Sequence, residues 1–233
     1  MNIALLGYGR MGKSIEVIAL TRNHSITLKI SDASDTFDFT NVDVAIDFSI
    51  PVAAVSNIKK ALDAGVPVIS GTTGWLDQYN DVIAYCQAKR GTFLYASNFS
   101  LGVNIFFEIN TRLAQLMASH KNYSTEIEEI HHTKKLDAPS GTAISLADQI
   151  IENTDYNQWT LGTASTNTIK IEAKRIPDVP GTHEINYTSD IDTISIKHTA
   201  HSRQGFAMGA VIAAEWIKDK KGIFSMKDVL NIG

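Results

Sequence analysis

Apolar positions in the first hundred residues fall into short unbroken runs, separated by stretches with helical spacing. Residues 3–6 are an apolar run that ends in glycines, and residues 13–20 place Ile15, Ile18 and Ala19 on one helical face. Residues 26–30 and 42–48 read as strands, the second apolar except for Asp43 and Asp47. Residues 52–64 carry Val52, Val55, Ile58 and Leu62 at helical spacing, with Gly65 as a helix stop and Pro67 beyond it. Residues 66–69 form another β-branched run, residues 76–89 a helix that stops at Gly91, and residues 92–96 one more strand. Strands alternating with helices call for a parallel sheet covered by helices.

The second half has a different rhythm. A helix over roughly residues 104–119 precedes longer segments with period-two alternation at 124–130, 169–175, 184–188 and 193–199. The last two flank a turn at Ser189-Asp190-Ile191-Asp192. Such alternation suits an antiparallel sheet with one covered face. A helix over 142–152 interrupts the strands, a final helix spans 207–218, and residues 218–221 are a solvated charge run. The expected class is therefore α/β, a parallel-sheet nucleotide domain of Rossmann type plus an α+β domain with a mixed or antiparallel sheet. The first should occupy residues 1–100, with 203–233 returning to it, and the second residues 101–202.

Composition narrows the function. The 233 residues are 44% hydrophobic and 20% charged, which is ordinary globular usage. No apolar run reaches the roughly 18 residues of a membrane span. The N-terminus lacks a basic region and a cleavage site. One cysteine, Cys86, excludes a disulfide framework and a Cys-rich metal site, so the expected location is cytoplasmic. A net charge of −4 gives no general attraction to nucleic acid or acidic lipid, so no partner of either kind is expected.

Gly7-Tyr8-Gly9-Arg10-Met11-Gly12 fits G-x-G-x-x-G directly after a strand and at the opening of a helix. The glycines permit a tight turn, approach of a pyrophosphate and close helix–strand packing. The helix N-terminus then offers N–H groups to phosphates, and Arg10 adds a cation. Asp32 stands 20 residues past Gly12, where an acid binds ribose hydroxyls; its plainer reading is a turn-opening aspartate. Ser31, Ala33 and Ser34 surround it, with no cation for a 2′-phosphate, which leans the cofactor toward NADH over NADPH. Gly71-Thr72-Thr73-Gly74 and Ala96-Ser97-Asn98-Phe99-Ser100 end two further strands; either is a turn or a nicotinamide-facing loop.

The densest chemistry is the stretch from Glu129 to Ala143, which contains His131-His132-Thr133-Lys134-Lys135 and Asp137-Ala138-Pro139-Ser140-Gly141-Thr142. Histidine passes protons near neutral pH, and Lys135 supplies charge or a proton. Asp137 or Ser140 is the helix N-cap, and Gly141 and Thr142 present N–H and hydroxyl groups to an anion. Adjacent strand histidines face opposite sides, which argues against a shared metal. Arg203, in Ser202-Arg203-Gln204-Gly205, is a further cation that is either a ligand or a surface residue.

With these strings the chain resembles the 4-hydroxy-tetrahydrodipicolinate (dihydrodipicolinate) reductase family over nearly its whole length. The resemblance is carried by residues 7–12, by Asp43-Val44-Ala45-Ile46-Asp47-Phe48-Ser49, by residues 71–74 and 97–104, by the 131–143 string, and by Arg203 with Phe206 and Gly209-Ala210-Val211. It implies NADH- or NADPH-dependent reduction of a cyclic dicarboxylate in diaminopimelate and lysine biosynthesis, by a homotetramer. It implies His131 as proton donor and acceptor and Lys135 as proton donor. His132, Ser140, Gly141, Thr142 and Arg203 would hold the substrate. Gly7, Tyr8, Gly9, Arg10, Met11, Gly12, Asp32, Gly71, Thr72, Thr73, Ala96, Ser97, Asn98 and Phe99 would line the cofactor. The chain is short for the family. The family's Gly-Glu-His is Gly181-Thr182-His183-Glu184 here, so no role is carried onto that loop. An aspartate dehydrogenase shares the first domain but not the 131–143 string.

Overall fold

The structure, a computed structural model, describes residues 1–32, 35–202 and 204–232. Its elements in chain order begin with β1 (Asn2–Leu6), α1 (Arg10–Thr21), β2 (Ser25–Ile30), β3 (Val44–Asp47), α2 (Pro51–Asp63), β4 (Val68–Ser70), α3 (Tyr79–Ala88) and β5 (Thr92–Tyr95). Then come α4 (Leu101–Met117), β6 (Ser124–His131), α5 (Gly141–Asn153), β7 (Gln158–Thr160), β8 (Thr168–Arg175), β9 (Gly181–Thr188) and β10 (Thr193–Ala200). The chain ends with α6 (Gln204–Ile217), β11 (Gly222–Phe224) and α7 (Met226–Leu230). Two compact units result: Met1–Asn104 with Gln204–Gly233, and Ile105–Arg203. Among the described residues no helix is long and apolar enough to cross a membrane.

The first unit is a parallel six-stranded sheet of order β11-β5-β4-β3-β1-β2. Its central strands are apolar on both sides because helices cover both faces. Ile3, Leu5, Val44 and Ile46 pack with Ile15 and Ile18 of α1 and Ala210, Val211 and Ala214 of α6. Ala4, Leu6, Ala45 and Val68 pack the other way, onto Ile58 and Leu62 of α2 and Val82 and Cys86 of α3. The order reverses between β1 and β3, and that switch point is where open sheets of this kind bind ligands, beyond the strands' carboxyl ends.

The second unit carries the sheet β10-β9-β6-β8-β7. The β10–β9 and β9–β6 pairs are antiparallel, but β6–β8 and β8–β7 are parallel. Of the two expected arrangements, mixed or antiparallel, the sheet is the mixed one; α5 and β7 lie in the long crossover that the parallel β6–β8 pair needs. Ile127, Ile169, Ile171, Ile185 and Tyr187 point to one face and pack on Leu146, Ala147 and Ile150 of α5 and on Phe106 and Ala114 of α4. The alternate residues form ion pairs on the other face, including Lys174 with Glu128 and Lys197 with Glu184.

Several boundaries differ from the sequence reading. The single helix expected over 76–89 is a 3₁₀ turn, Leu76–Gln78, followed by α3. The first helix starts at Arg10 rather than near 13, because its opening turn lies inside the glycine motif. The strands β7 and β11 have three residues each, too few to show a period, and α7 has five. The charge run at 218–221 is partly packed: Lys218 pairs with Asp43 at 3.3 Å, and Lys220 lies over the Trp216 ring at 4.3 Å.

The return segment is fastened to the first unit at close range. A Cβ added to Gly209 of α6 would come within 1.7 Å of the Phe99 backbone oxygen, so α6 and the strand β5 exit cannot separate to admit it. Gly209→Ala is expected to destabilise the protein by about 2 kcal/mol or more, by overpacking against backbone. A urea-unfolding midpoint equal to that of the parent would refute this.

Candidate active site

The glycine motif lies at the switch point. Gly7 follows β1 with φ of 101°, and a Cβ there would meet the Phe48 carbonyl oxygen at 2.2 Å. A Cβ on Gly12 would meet the Gly7 oxygen at 2.3 Å, which seats α1 directly on the turn. At Gly9, by contrast, nothing lies within 4 Å of an added Cβ. The α1 N-terminus has no side-chain cap and no acidic residue in its first turn. Its N–H groups are therefore unspent, which fits a dinucleotide pyrophosphate. Arg10 is exposed at the first helical position, and Met11 is half-buried. Tyr8 is committed to the fold: its hydroxyl bonds Glu16, and its ring lies 4.7 Å from the Lys29 ammonium.

The neighbouring strand ends are bound together by one buried carboxylate. Asp47, at the end of β3, is fully buried. It accepts from Ser49 Oγ (2.7 Å), Asn57 Nδ2 (3.2 Å), Ser70 Oγ (2.8 Å) and Thr72 Oγ1 (2.7 Å). Burial pushes its pKa up, and these four donors oppose that. The Thr72 hydroxyl also accepts from the Ser49 N–H at 2.9 Å. Thr72 thus holds the 71–74 loop in place, while Thr73 and Gly74 are exposed. After β5, Ala96 is buried and Ser97 exposed. Asn98 Oδ1 accepts from the Ser100 N–H at 2.9 Å, and Asn104 donates to the Asn98 and Ser100 carbonyls. The Phe99 side chain is a core residue, 1% exposed, so it offers a ligand only backbone.

Asp32 is exposed just after β2, its N–H donating to Asp35 Oδ2 at 2.9 Å. Ala33 and Ser34 lie outside the described residues, as does Arg203. The remaining cofactor residues follow the ends of β1, β4 and β5 of one parallel sheet, with β3 between β1 and β4.

In the second unit, β6 ends in His131, 8% exposed. His132 is half-buried and opens a turn that Lys135 N–H closes onto the His132 carbonyl at 3.0 Å. Lys135 Nζ reaches both Asp137 oxygens, at 2.8 and 2.6 Å, and holds that carboxyl below the usual range. Of the two candidate caps, Ser140 is the N-cap of α5, its Oγ accepting from Ala143 N–H at 3.2 Å. The first turn of α5 holds no acid. Gly141 is exposed and Thr142 half-buried at this N-terminus, an arrangement that suits a carboxylate.

Three residues to which the sequence reading gave no role complete this end of the sheet. Glu129 is fully buried and accepts the Ser140 N–H at 3.1–3.2 Å and Arg175 Nη2 at 3.2 Å. Arg175 also donates to the Asp137 carbonyl at 2.6 Å, tying β8 to the basic loop. His183 of β9 meets Ser140 Oγ at 3.1 Å, and its ring lies edge-on to His131 with centroids 5.1 Å apart. Strand register explains the grouping: β6 pairs His131 with Arg175 on one side and Glu129 with His183 on the other.

Burial lowers the His131 pKa, with Lys135 and Arg175 acting the same way and Glu129 and Asp137 opposing them. Burial first, then the charges of His131, His198 and Lys135, lower His183 from 6.5 to about 3. Glu129, His131 and His183 place ligand atoms within 4.8 Å of one another, as a cation site would, but Arg175 already supplies a cation to the shared carboxylate.

Two family models match the chain. One described as "Dihydrodipicolinate reductase, N-terminus" covers residues 1–99, and one described as "Dihydrodipicolinate reductase, C-terminus" covers residues 102–230. A 4-hydroxy-tetrahydrodipicolinate reductase of Christiangramia forsetii is 56% identical over 99% of this chain and 98% of its own. One of Methanosarcina barkeri is 39% identical over 97% of this chain and 83% of its own. The chain is thus short beside the second relative but not beside the first. Among solved structures, a dipicolinate-bound dihydrodipicolinate reductase from Paenisporosarcina sp. TG-14 superposes with a TM-score of 0.78 at 21% identity, covering 97% of each chain. An amine dehydrogenase from Mycobacterium smegmatis shares the fold at a TM-score of 0.62 and 9% identity, over 96% of this chain and 94% of its own.

The His183 shift contributes to the acid sensitivity of the fold. A histidine held neutral when folded contributes stability that is present above pH 6.5 and is lost as pH falls toward about 3. Each such proton is worth about 1.4 kcal/mol per pH unit within that window. His183→Gln should therefore flatten the decline in urea midpoint between pH 7 and pH 5. Equal slopes in parent and variant would assign the acid sensitivity to other groups.

Proposed function

The chain belongs to the dihydrodipicolinate reductase family, and we propose on that footing how its residues carry the family's reaction. It is a pyridine-nucleotide-dependent oxidoreductase that reduces 4-hydroxy-tetrahydrodipicolinate to tetrahydrodipicolinate in diaminopimelate and lysine biosynthesis. Substrate, reduced cofactor and one proton give product, oxidised cofactor and water. A bound nicotinamide supplies the hydride. The chain's own task is to bind two anions and to deliver a proton to the reduced ring.

Residues 1–100 with 203–233 are assigned to the dinucleotide, and residues 101–202 to substrate and assembly. Gly7, Gly9, Arg10, Met11 and Gly12 cradle the pyrophosphate at the unspent α1 N-terminus. Tyr8 and Thr72 act as supports, with Gly71 and Thr73 beside them. Ala96, Ser97, Asn98 and the Phe99 backbone form the far wall. Asp32 takes the ribose hydroxyls. In the second unit, Gly141, Thr142 and His132 bind the dicarboxylate, joined by Arg203. Ser140 contributes by fixing the helix end. His131 and Lys135 share the proton transfer. The second unit also forms the homotetramer that the resemblance implies, and the expected compartment is the cytoplasm.

The observation that carries this reading is the convergence of His131, His132 and Lys135 with an acid-free helix N-terminus at the end of β6. General acid catalysis is worth roughly 10²–10⁴ in rate. His131→Gln should therefore lower kcat by about that factor and leave dinucleotide affinity little changed; unaltered turnover would remove His131 from the chemistry.

NADH is the favoured cofactor. No lysine or arginine occurs between Lys29 and Lys59, and Lys29 is already paired with Glu16 at 2.6 Å. A coupled assay with the synthase product should give a higher kcat/KM with NADH than with NADPH. The reverse order would reassign the 2′-phosphate to Arg10 or Lys29.

A further inference from the structure

We propose that Glu129 is the positioning residue of the proton donor: its carboxylate holds the Nδ1 edge of His131 and leaves Nε2 to face the substrate. This rests on the reading of His131 as the proton donor and deepens it. The chemistry is that of a histidine backed by a carboxylate, in which the acid fixes the ring's tautomer and stabilises its cation without taking the proton.

The geometry supports it atom by atom. Glu129 Oε2 lies 3.5 Å from His131 Nδ1, an ion-pair distance. That nitrogen is buried and has no hydrogen-bond partner among the described residues, so the carboxylate is the group it faces. The other nitrogen, Nε2, lies against Gly181, where an added Cβ would come within 3.2 Å of it. The bare glycine is what admits the imidazole in this orientation, with Nδ1 turned to the carboxylate. A carboxylate buried to 0% exposure survives only with partners, and each of its partners comes from a different segment. Arg175 of β8 supplies the counter-charge, and the Ser140 N–H at the head of α5 supplies a hydrogen bond. The same carboxylate therefore fixes both the proton donor and the helix end assigned to the substrate carboxylate.

Charged and titratable groups face His131 from every neighbouring element. They are Glu129 on its own strand, Lys135 and Asp137 on the loop, Arg175 on β8 and His183 on β9. Lys135, Arg175 and burial disfavour the imidazolium, while Glu129 and Asp137 favour it. His183 is neutral near pH 7 and adds no charge. Asp137 is exposed and already bridged by Lys135, so Glu129 is the buried charge that keeps the imidazolium accessible.

Two measurements test this. In Glu129→Gln, the alkaline limb of the kcat–pH profile should move to lower pH by about one unit or more, because the opposite charge beside the imidazole is gone. The kcat at pH 7 should fall about tenfold or more, with KM for substrate close to the parent's. Glu129→Asp, which keeps the charge, should return the limb toward its original position. A fall in kcat with an unmoved limb in Glu129→Gln would overturn the proposal and leave Glu129 a purely structural role. The second measurement needs no variant: nitrogen-15 NMR of the histidines in the intact protein should show neutral His131 as the Nδ1–H tautomer. An Nε2–H tautomer would overturn the proposal even if the variants fail to fold. Failure of the underlying reading looks different, since His131→Gln would then turn over normally whatever Glu129 does.

Discussion

A carboxylate taken out of water costs several kcal/mol unless donors or cations replace the lost hydration. The sheet of each unit ends in one. Asp47 closes β3 and Glu129 lies two residues from the end of β6, both fully buried. Neither is satisfied by its own strand. Asp47 recruits Ser49, Asn57, Ser70 and Thr72, and Glu129 recruits Ser140 and Arg175. Apart from Asn57, inside α2, these groups sit on loops or at element ends. The need to satisfy a buried charge thus becomes the device that holds mobile segments still. Removing any one donor would leave an unbalanced group in a dry interior, which penalises any movement of these segments.

The same economy explains how a chain of net charge −4 accepts two anions. The attraction is local and comes largely from backbone. The helices α1 and α5 both begin without an acidic residue in their first turn. At α1 the helix start has no side-chain cap, and at α5 the cap hydroxyl is itself held by His183. Lys29, over the Tyr8 ring of the nucleotide motif, is paired with Glu16, and Lys135 with Asp137. In the proposed assignment the positive ends of these helices do the recruiting.

The alternation of elements was legible because it depends on spacing alone: β1, α1, β2, β3, α2 and β5 all lie within a few residues of their expected places. Gly7 and Gly12 were legible for a related reason. What they contribute is a missing Cβ, which is a property of the residue itself. The strands β7 and β11 were not legible, since three residues define no period, and the partner of β11 is remote in the chain. The roles of Glu129, Arg175 and His183 were hidden for a deeper reason. They meet through register, with His131 opposite Arg175 and Glu129 opposite His183, and register between strands 44 and more residues apart is written in no local pattern. Thr72 and Phe99 show the converse: both stand in the expected strings, yet their side chains face inward to Asp47 and the core.

The first unit is interrupted in the chain, and its sheet and cover are completed by the final segment, α6 and β11. During synthesis, then, the N-terminal strands emerge long before the helix that shields Ile3, Leu5 and Ile46 and before the strand that closes the β5 edge. Residues 105–202 emerge as one unbroken stretch with a core of their own. The usual vectorial order, N-terminal domain first, cannot complete the first unit here. The nascent sheet must wait with an open apolar face until α6 and β11 have been made, and that interval is when the chain is most exposed to aggregation.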